Sequence, residues 1–317
     1  MTEPPTDAVV ETLDLRKRYG RVEALAGLSM TVRAGEVFGF LGPNGAGKTT
    51  TVKLLLGLAR PTGGTASVLG APIGDLGARR RIGYLPELFR YQPWMTAREV
   101  LTVHGELTGM PRGRRGPAAD EALELVGLAD RGRDLVGRFS KGMQQRLGLG
   151  VALLGEPQLV ILDEPTSALD PLGRVDVRSI IRTARDRGAA VFLNSHLLSE
   201  VEQVCDRVAI VDRGRVVASG SLDDVLGQSE VEVRVTGLAA ADLAQVADFG
   251  PATLDADRLA IRPMDPSRVP ELVDRLVAMG ARIFEVRAGR TSLEQRFVEL
   301  VARDRAPGTP SERGERG

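Results

Sequence analysis

Cysteine, lysine and aromatic side chains are scarce in this chain, and it carries no net charge. Cys205 is the single cysteine among 317 residues, so no intrachain disulfide can form, which suits a reducing compartment. In the stretch 199–205 it reads as a small buried apolar residue on a helix. Lys+Arg and Asp+Glu both number 42, a balance that argues against a nucleic-acid coat or a strongly basic membrane-surface protein. The only lysines are Lys17, Lys48, Lys53 and Lys141; the arginine bias is read as compositional. No apolar run approaches the roughly 18 residues that a spanning helix needs. Leu147–Leu154 falls far short of it. The first seven residues have no basic region and no apolar core, so no signal peptide is expected. A role at a membrane would require docking from outside.

What is present is a hydrophobic fraction of 43%, enough for a proper core. The length suits one large domain and a small one, at roughly 150 residues each. The decisive motif is Gly42-Pro43-Asn44-Gly45-Ala46-Gly47-Lys48-Thr49, which fits G-x-x-x-x-G-K-[ST]. An apolar strand, Glu36–Leu41, precedes it, and a helix over Thr50–Leu56 follows. Strand, glycine loop and helix form the context that confirms a phosphate-binding P-loop. Its glycines let backbone N–H groups turn inward, and the helix N-terminus adds partial positive charge. Lys48 is then placed for the β- and γ-phosphates, and the Thr49 hydroxyl for Mg²⁺.

Short strands are expected at 9–15, 28–33, 64–69 and 82–85. From about Thr96 to Leu154 the pattern is helical, with Thr96 and Glu99 spaced as a capping box. Helix is expected at 118–126, after a basic loop over Gly109–Pro117 read as solvated surface. Leu159–Leu162 is a β-branched, apolar run suited to a parallel sheet. A helix at 172–186, a strand at 190–194 and a helix around Val201 follow. Then come strands 208–211 and 215–218, joined by a hairpin turn at 212–214. After Gly227 the texture changes. Strands at 231–235, 259–262 and 283–286 and helices at 269–279 and 293–301 imply a small α+β accessory domain at 229–303. The tail 304–317 reads as disordered.

Two further segments narrow the chemistry. Leu159–Leu162 ends in Asp163 and Glu164 within Leu-Asp-Glu-Pro-Thr-Ser-Ala-Leu-Asp170. The first acid can hold Mg²⁺ at a strand tip, and the second can act on a water. Phe139-Ser-Lys-Gly-Met-Gln-Gln-Arg146 is a polar turn that enters a helix. Together with the P-loop, these segments resemble the ATP-binding-cassette (ABC) ATPases over essentially all of residues 9–226.

The resemblance implies an α/β P-loop nucleotide-binding domain at 1–228 with a helical subdomain at about 88–157. It implies ATP and Mg²⁺ as ligands. Tyr19 looks like the adenine-stacking aromatic, residues 42–49 with Thr50 like the phosphate cradle, and Asp163 like the metal-holding acid. Glu164 looks like the catalytic base, Asp170 like the D-loop acid, and His196 like the switch histidine at the γ-phosphate. Ser140 and Gly142 match the signature that completes the opposite subunit's site in a head-to-tail dimer. Lys141 and Met143 depart from that signature. Glu87 stands where the family usually has a glutamine near Mg²⁺. His104 matches nothing and reads as a helix-surface residue.

The signature variant, Glu87 and the segment Thr291–Leu300 resemble the ATPases of type-2 ABC exporters. That implies pairing with a second ATPase chain, identical or similar, and with a separate integral-membrane permease at the cytoplasmic face of the membrane. Phe89, Tyr91 and Trp94 suit a surface for a partner helix; the alternative is packing inside the helical subdomain. A soluble ABC ATPase acting on ribosomes or nucleic acid would be expected to carry two cassettes, coiled coils or zinc cysteines, and these are absent. No nucleic-acid partner is expected. An ABC importer ATPase is a nearer rival, though many of those carry a β-rich C-terminal domain.

Overall fold

The computed structural model describes residues 7–167, 169–227, 230–289 and 292–305. They fall into two compact units. One runs to Gly220 and resumes at Leu300; the other is Ser221–Glu299.

In the first unit, β1 (Ala8–Tyr19) and β2 (Val22–Arg33) pair antiparallel. β3 (Val37–Leu41) leads through the glycine loop into α1 (Lys48–Leu55). Next come β4 (Gly63–Val68), β5 (Ala71–Pro72), α2 (Leu76–Arg79) and β6 (Ile82–Leu85). The helical arm holds α3 (Ala97–Leu107), α4 (Arg112–Leu125) and α5 (Lys141–Leu153). The chain then alternates through β7 (Leu159–Asp163), α6 (Pro171–Asp186), β8 (Ala190–Asn194), α7 (Leu198–Val204), β9 (Arg207–Asp212) and β10 (Arg215–Ser221).

These strands form two sheets, ordered β2-β1-β4-β5 and β10-β9-β3-β8-β7-β6. In the second sheet β3, β7 and β8 are buried along their whole length. This is why each reads as an unbroken apolar run: a parallel strand covered on both faces has no polar side to show. Phe38 and Phe40 pack on Phe192, with ring centroids 6.0 and 5.1 Å apart. This core fixes the register Asp163 opposite Asn194, so two polar strand tips emerge side by side.

Thr96 and Glu99 form the expected capping box at the start of α3. The expected loop at 109–117 is shorter than read: α4 starts at Arg112, just after Pro111. Tertiary packing overrides the weak helix propensity of Gly113, Gly116 and Pro117. Buried Ala118, Ala119 and Ala122 face the arm. Arg115 donates to the Met110 carbonyl at 2.9 Å and pairs with Glu106, so the basic cluster is not wholly solvated.

In the second unit, α8 (Leu222–Leu226) precedes β11 (Glu230–Thr236), β12 (Ala252–Asp255) and β13 (Arg258–Ile261). α9 (Val269–Ala278), β14 (Arg282–Gly289) and the start of α10 (Leu293–Arg305) complete it. The antiparallel order is β12-β13-β11-β14. Val231, Val233 and Val235 point to a core with Leu259, Ile261, Leu272 and Leu276. The period-2 pattern of β11 therefore has its physical cause in one covered face. Strand β12, four residues long, was too short to be read from its pattern.

The unit boundaries differ from those expected. The second unit begins at Ser221, whose hydroxyl caps α8, and it ends at Glu299. Residues 300–303 belong with the first unit. Asp304 and Arg305, expected in the tail, close α10 instead, with Arg305 held by Asp212. The rest of the expected tail, 306–317, lies outside the described residues. Among the described residues no helix is long and apolar enough to cross a membrane.

Candidate nucleotide site

The glycine loop runs from the tip of β3 to Lys48, the first residue of α1. Gly47 precedes that helix at φ +104, a conformation open to glycine and strained for other residues. A Cβ there would also lie 2.6 Å from the Ala24 carbonyl oxygen. No side chain caps α1 and its first turn holds no acid. Its N-terminal N–H groups are thus offered to an external anion, as at phosphate-binding helix termini. Pro43, Asn44, Gly45 and Thr49 are exposed or half-buried around the loop, Thr50 is half-buried, and Ala46 is buried beneath it.

Lys48 bends back over the loop and donates to the Gly42 carbonyl at 2.6 Å and to Pro43 at 3.3 Å. Burial lowers its pKa, and Glu164, Asp163 and Glu87 pull it back up. The sequence-predicted lysine and three acids therefore act on one another, although they come from three different segments.

Asp163 ends β7 and is buried. Burial raises its pKa. The Asn194 amide, donating to it at 2.5 Å, opposes that rise; Glu87 and Glu164 add to it, and Lys48 opposes it. Asn194 Oδ1 is buried without a hydrogen-bond partner among the described residues. The donor set of the Thr49 hydroxyl and the Asp163 and Glu87 carboxylates is all oxygen, the chemistry that suits a hard cation such as Mg²⁺. Among the described residues no cluster of three His, Cys, Asp or Glu could hold a metal by itself. A Mg²⁺ site that draws on phosphate and water for most of its shell needs no such cluster.

Glu164 follows in the left-handed region at φ +53, which costs about 1–3 kcal/mol for a non-glycine residue. Its N–H is tied to the Asn194 carbonyl at 2.8 Å. His196 Nδ1 lies 2.7 Å from the buried carboxylate, which accepts from the Ser195 hydroxyl at 3.5 Å. So close a contact with a carboxylate is favourable when Nδ1 carries the proton. The exposed imidazole then offers Nε2 as an acceptor when neutral and as a donor when cationic.

Other expected residues sit apart from this cluster. Ser140 is exposed and caps α5 by accepting from the Met143 N–H at 3.2 Å. Gly142 follows in the first turn of that helix. Asp170 is exposed and caps α6 through the Gly173 N–H at 2.7 Å. Among the described residues no hydrogen bond joins Ser140 or Asp170 to the glycine loop of the same chain. Tyr19, at the end of β1, is 46% exposed, and Lys17 Nζ lies 4.7 Å from its ring centroid.

Sequence reasoning missed three residues. Asn194 and Ser195 hold the two acids, and the signal was a polar pair directly after the apolar strand 190–193. Gln145, buried on α5, donates to the Pro165 carbonyl at 2.8 Å and ties the signature helix to the turn behind Glu164. The aromatic cluster divides. Phe89 and Tyr91 are partly buried and pack as a tilted pair with ring centroids 5.4 Å apart, while Trp94 is 69% exposed. His104 is not a plain surface residue: it meets Tyr91 edge-on at 5.7 Å, and burial lowers its pKa.

Residues 25–167 match the ABC transporter family. An ABC transporter ATP-binding protein of Synechocystis sp. is 41% identical, over 94% of this chain and 86% of its own length. The chain belongs to the ATP-binding subunits of ABC transporters. The bacitracin transport ATP-binding protein BcrA of Bacillus licheniformis is 35% identical, over 92% of this chain and 97% of its own. The daunorubicin resistance ATP-binding protein DrrA3 of Streptomyces coeruleorubidus is 36% identical, over 94% and 98%. A solved ATP-binding subunit of an ABC transporter superposes with a TM-score of 0.63 at 33% identity, over 68% of this chain and 91% of that one. As a member of this family the chain is an ATPase, and its α/β P-loop fold is the family's own.

Proposed function

We propose that this chain is the ATPase of an exporter, binding ATP with Mg²⁺ at the glycine loop and driving a separate membrane permease. The observation that carries the reading is the uncapped start of α1 behind the glycine loop, with Lys48 folded back over that loop and interacting electrostatically with Glu164, Asp163 and Glu87. Direction of transport is carried by the relatives, among them the proteins named for bacitracin transport, daunorubicin resistance and Nod factor export.

In this reading Gly42, Pro43, Asn44, Gly45, Ala46 and Gly47 wrap the phosphates, and Thr50 supports them from the first turn of α1. Lys48 leaves the Gly42 carbonyl to meet the β- and γ-phosphates, exchanging a neutral acceptor for a charged one. Thr49, Asp163 and Glu87 would hold Mg²⁺, which when bound offsets phosphate charge. Tyr19 stacks on adenine. Glu164 takes the proton of the attacking water, and His196 holds Glu164 in place through Nδ1 while presenting Nε2 to the γ-phosphate. Ser140, Gly142 and Asp170 act on the second chain's nucleotide, which accounts for their lack of contact with their own loop. ATP closes a head-to-tail pair, of identical or similar chains, and hydrolysis reopens it.

The permease surface is Trp94, exposed beside a groove lined by Met95, Val103 and Arg133 on the helical arm. Such docking places the chain at the cytoplasmic face of the membrane. An aromatic at a binding hot spot contributes about 2 kcal/mol or more. Trp94→Ala is therefore expected to release the ATPase from membranes containing its co-encoded permease while ATP binding persists. Co-sedimentation of wild type and variant with those membranes decides it, and equal pelleting would refute this surface.

A further inference from the structure

We propose that Arg305, at the end of α10, is a positioning residue for the phosphate-binding loop, acting through Asp212 and the turn between β9 and β10. The inference rests on the nucleotide-site reading above and assigns a role to a residue remote from that site in sequence.

Arg305 Nε and Nη2 donate to the two oxygens of Asp212 at 2.8 and 2.9 Å, a two-pronged contact. The Asp212 side chain is only 2% exposed, while Arg305 reaches it from the solvent side, half-exposed. A carboxylate so enclosed needs a charged partner, and 93 residues of chain separate it from the one it has. Immediately after Asp212, Arg213 and Gly214 both adopt left-handed backbone, at φ +47 and +75. That is the requirement of a two-residue hairpin turn of the primed kind, and it is unfavourable for an arginine. Arg305 first, and to a lesser degree the Arg213 N–H, hold the Asp212 carboxyl below its usual pKa, which couples the acid to the turn that follows it.

The turn is wedged against the loop. The Gly214 N–H donates to the Ala46 carbonyl at 3.0 Å, and the Gly214 carbonyl accepts from Ala26 at 2.9 Å. A Cβ on Gly214 would lie 2.7 Å from Leu25 Cα and 2.8 Å from the Ala24 oxygen, so the fit admits only glycine. The peptide joining Ala46 to Gly47 is planar and trans, so its N–H points opposite to its carbonyl. With the Ala46 carbonyl tied to the turn, the Gly47 N–H is held pointing away from it. Arg305 sets Asp212, Asp212 sets the turn, and the turn sets the orientation of one N–H in the cradle.

The test is ADP binding by calorimetry with the full chain, well below each variant's melting temperature. Wild type is compared with Arg305→Ala, Arg305→Lys, Asp212→Asn and the Arg305→Ala/Asp212→Asn double variant. Arg305→Ala is expected to weaken ADP binding about tenfold, the order of one charge-assisted contact. Arg305→Lys recovers only part of the loss, because an ammonium cannot reproduce the fork. In the Asp212→Asn background Arg305→Ala adds nothing further, as a shared route requires. A lower melting temperature with unchanged ADP affinity in both Arg305 variants would overturn the proposal, leaving Arg305 as a fold staple. Additive losses would overturn the route through Asp212. Wild type that binds no ADP would overturn the nucleotide-site reading, and this inference with it, whereas tight wild-type binding with indifferent variants overturns this inference alone.

Discussion

Asn194→Ala should destabilise the nucleotide-free chain in a manner that depends on pH. The amide of Asn194 is the donor that faces the buried Asp163 carboxylate, at 2.5 Å. A hydrogen bond to a charged group contributes about 1.5–3 kcal/mol. Two other consequences of the substitution oppose each other: the orphaned Oδ1 disappears, which is favourable, and a small void opens, which is not. Neither depends on pH, so the pH dependence isolates the contact. Burial, Glu87 and Glu164 raise the pKa of Asp163 in the folded chain. The folded chain then keeps that proton to higher pH than the unfolded chain. Asp163 accordingly lowers stability above its folded pKa, and that penalty vanishes as the pH falls below the unfolded value. Removing the Asn194 donor lifts the folded pKa further. The stability difference between wild type and variant should therefore grow by about 1–2 kcal/mol from acid to neutral pH. Urea unfolding at a series of pH values, without nucleotide or Mg²⁺, measures it. A difference that is flat with pH, or that shrinks toward neutrality, would refute the claim that Asn194 supports an ionised Asp163.

Other outcomes follow from the same geometry. Lys48→Ala should weaken ATP binding, with each lost charge-assisted contact contributing roughly 1.5–3 kcal/mol, and should abolish phosphate release; near-normal turnover in a clean preparation would exclude Lys48 from the site. Gly83→Ala should lower thermal stability, because a Cβ on β6 would lie 1.7 Å from the Ala152 carbonyl oxygen of α5 and backbone cannot yield cheaply. A cost of about 1–3 kcal/mol or more is expected, read as a fall in melting temperature, and an unchanged melting temperature would contradict the packing of that helix on the sheet.

The sequence disclosed most where a single physical requirement acts on adjacent residues. The glycine loop is legible because three glycines, a lysine and a threonine must lie in fixed order between a strand and a helix. β3, β7 and β8 are legible because burial on both faces leaves no room for polar residues. Less was legible where the requirement spans distant segments. Asn194 and Ser195 support Asp163 and Glu164 only because two parallel strands align in register, and nothing local to residues 190–195 names their partners. The contact between Arg305 and Asp212 ties the ATP-binding domain to a position that local pattern assigns to a disordered tail. The helix beginning at Arg112 was hidden by glycines and a proline whose weak propensity is overridden by buried alanines.

The central claim is that the residues gathered at the glycine loop hydrolyse ATP, with Glu164 acting on the water. It is tested most directly by phosphate release from MgATP by wild type beside Glu164→Gln, with light scattering on the same samples. The variant keeps the size and hydrogen bonding of the side chain but loses its basic oxygen. The account predicts release by wild type, a fall of about a hundredfold or more in the variant, retained ATP binding, and a variant dimer that persists with ATP. A Glu164→Gln protein that hydrolyses ATP at the wild-type rate, and stays monomeric at every protein and ATP concentration, would contradict it.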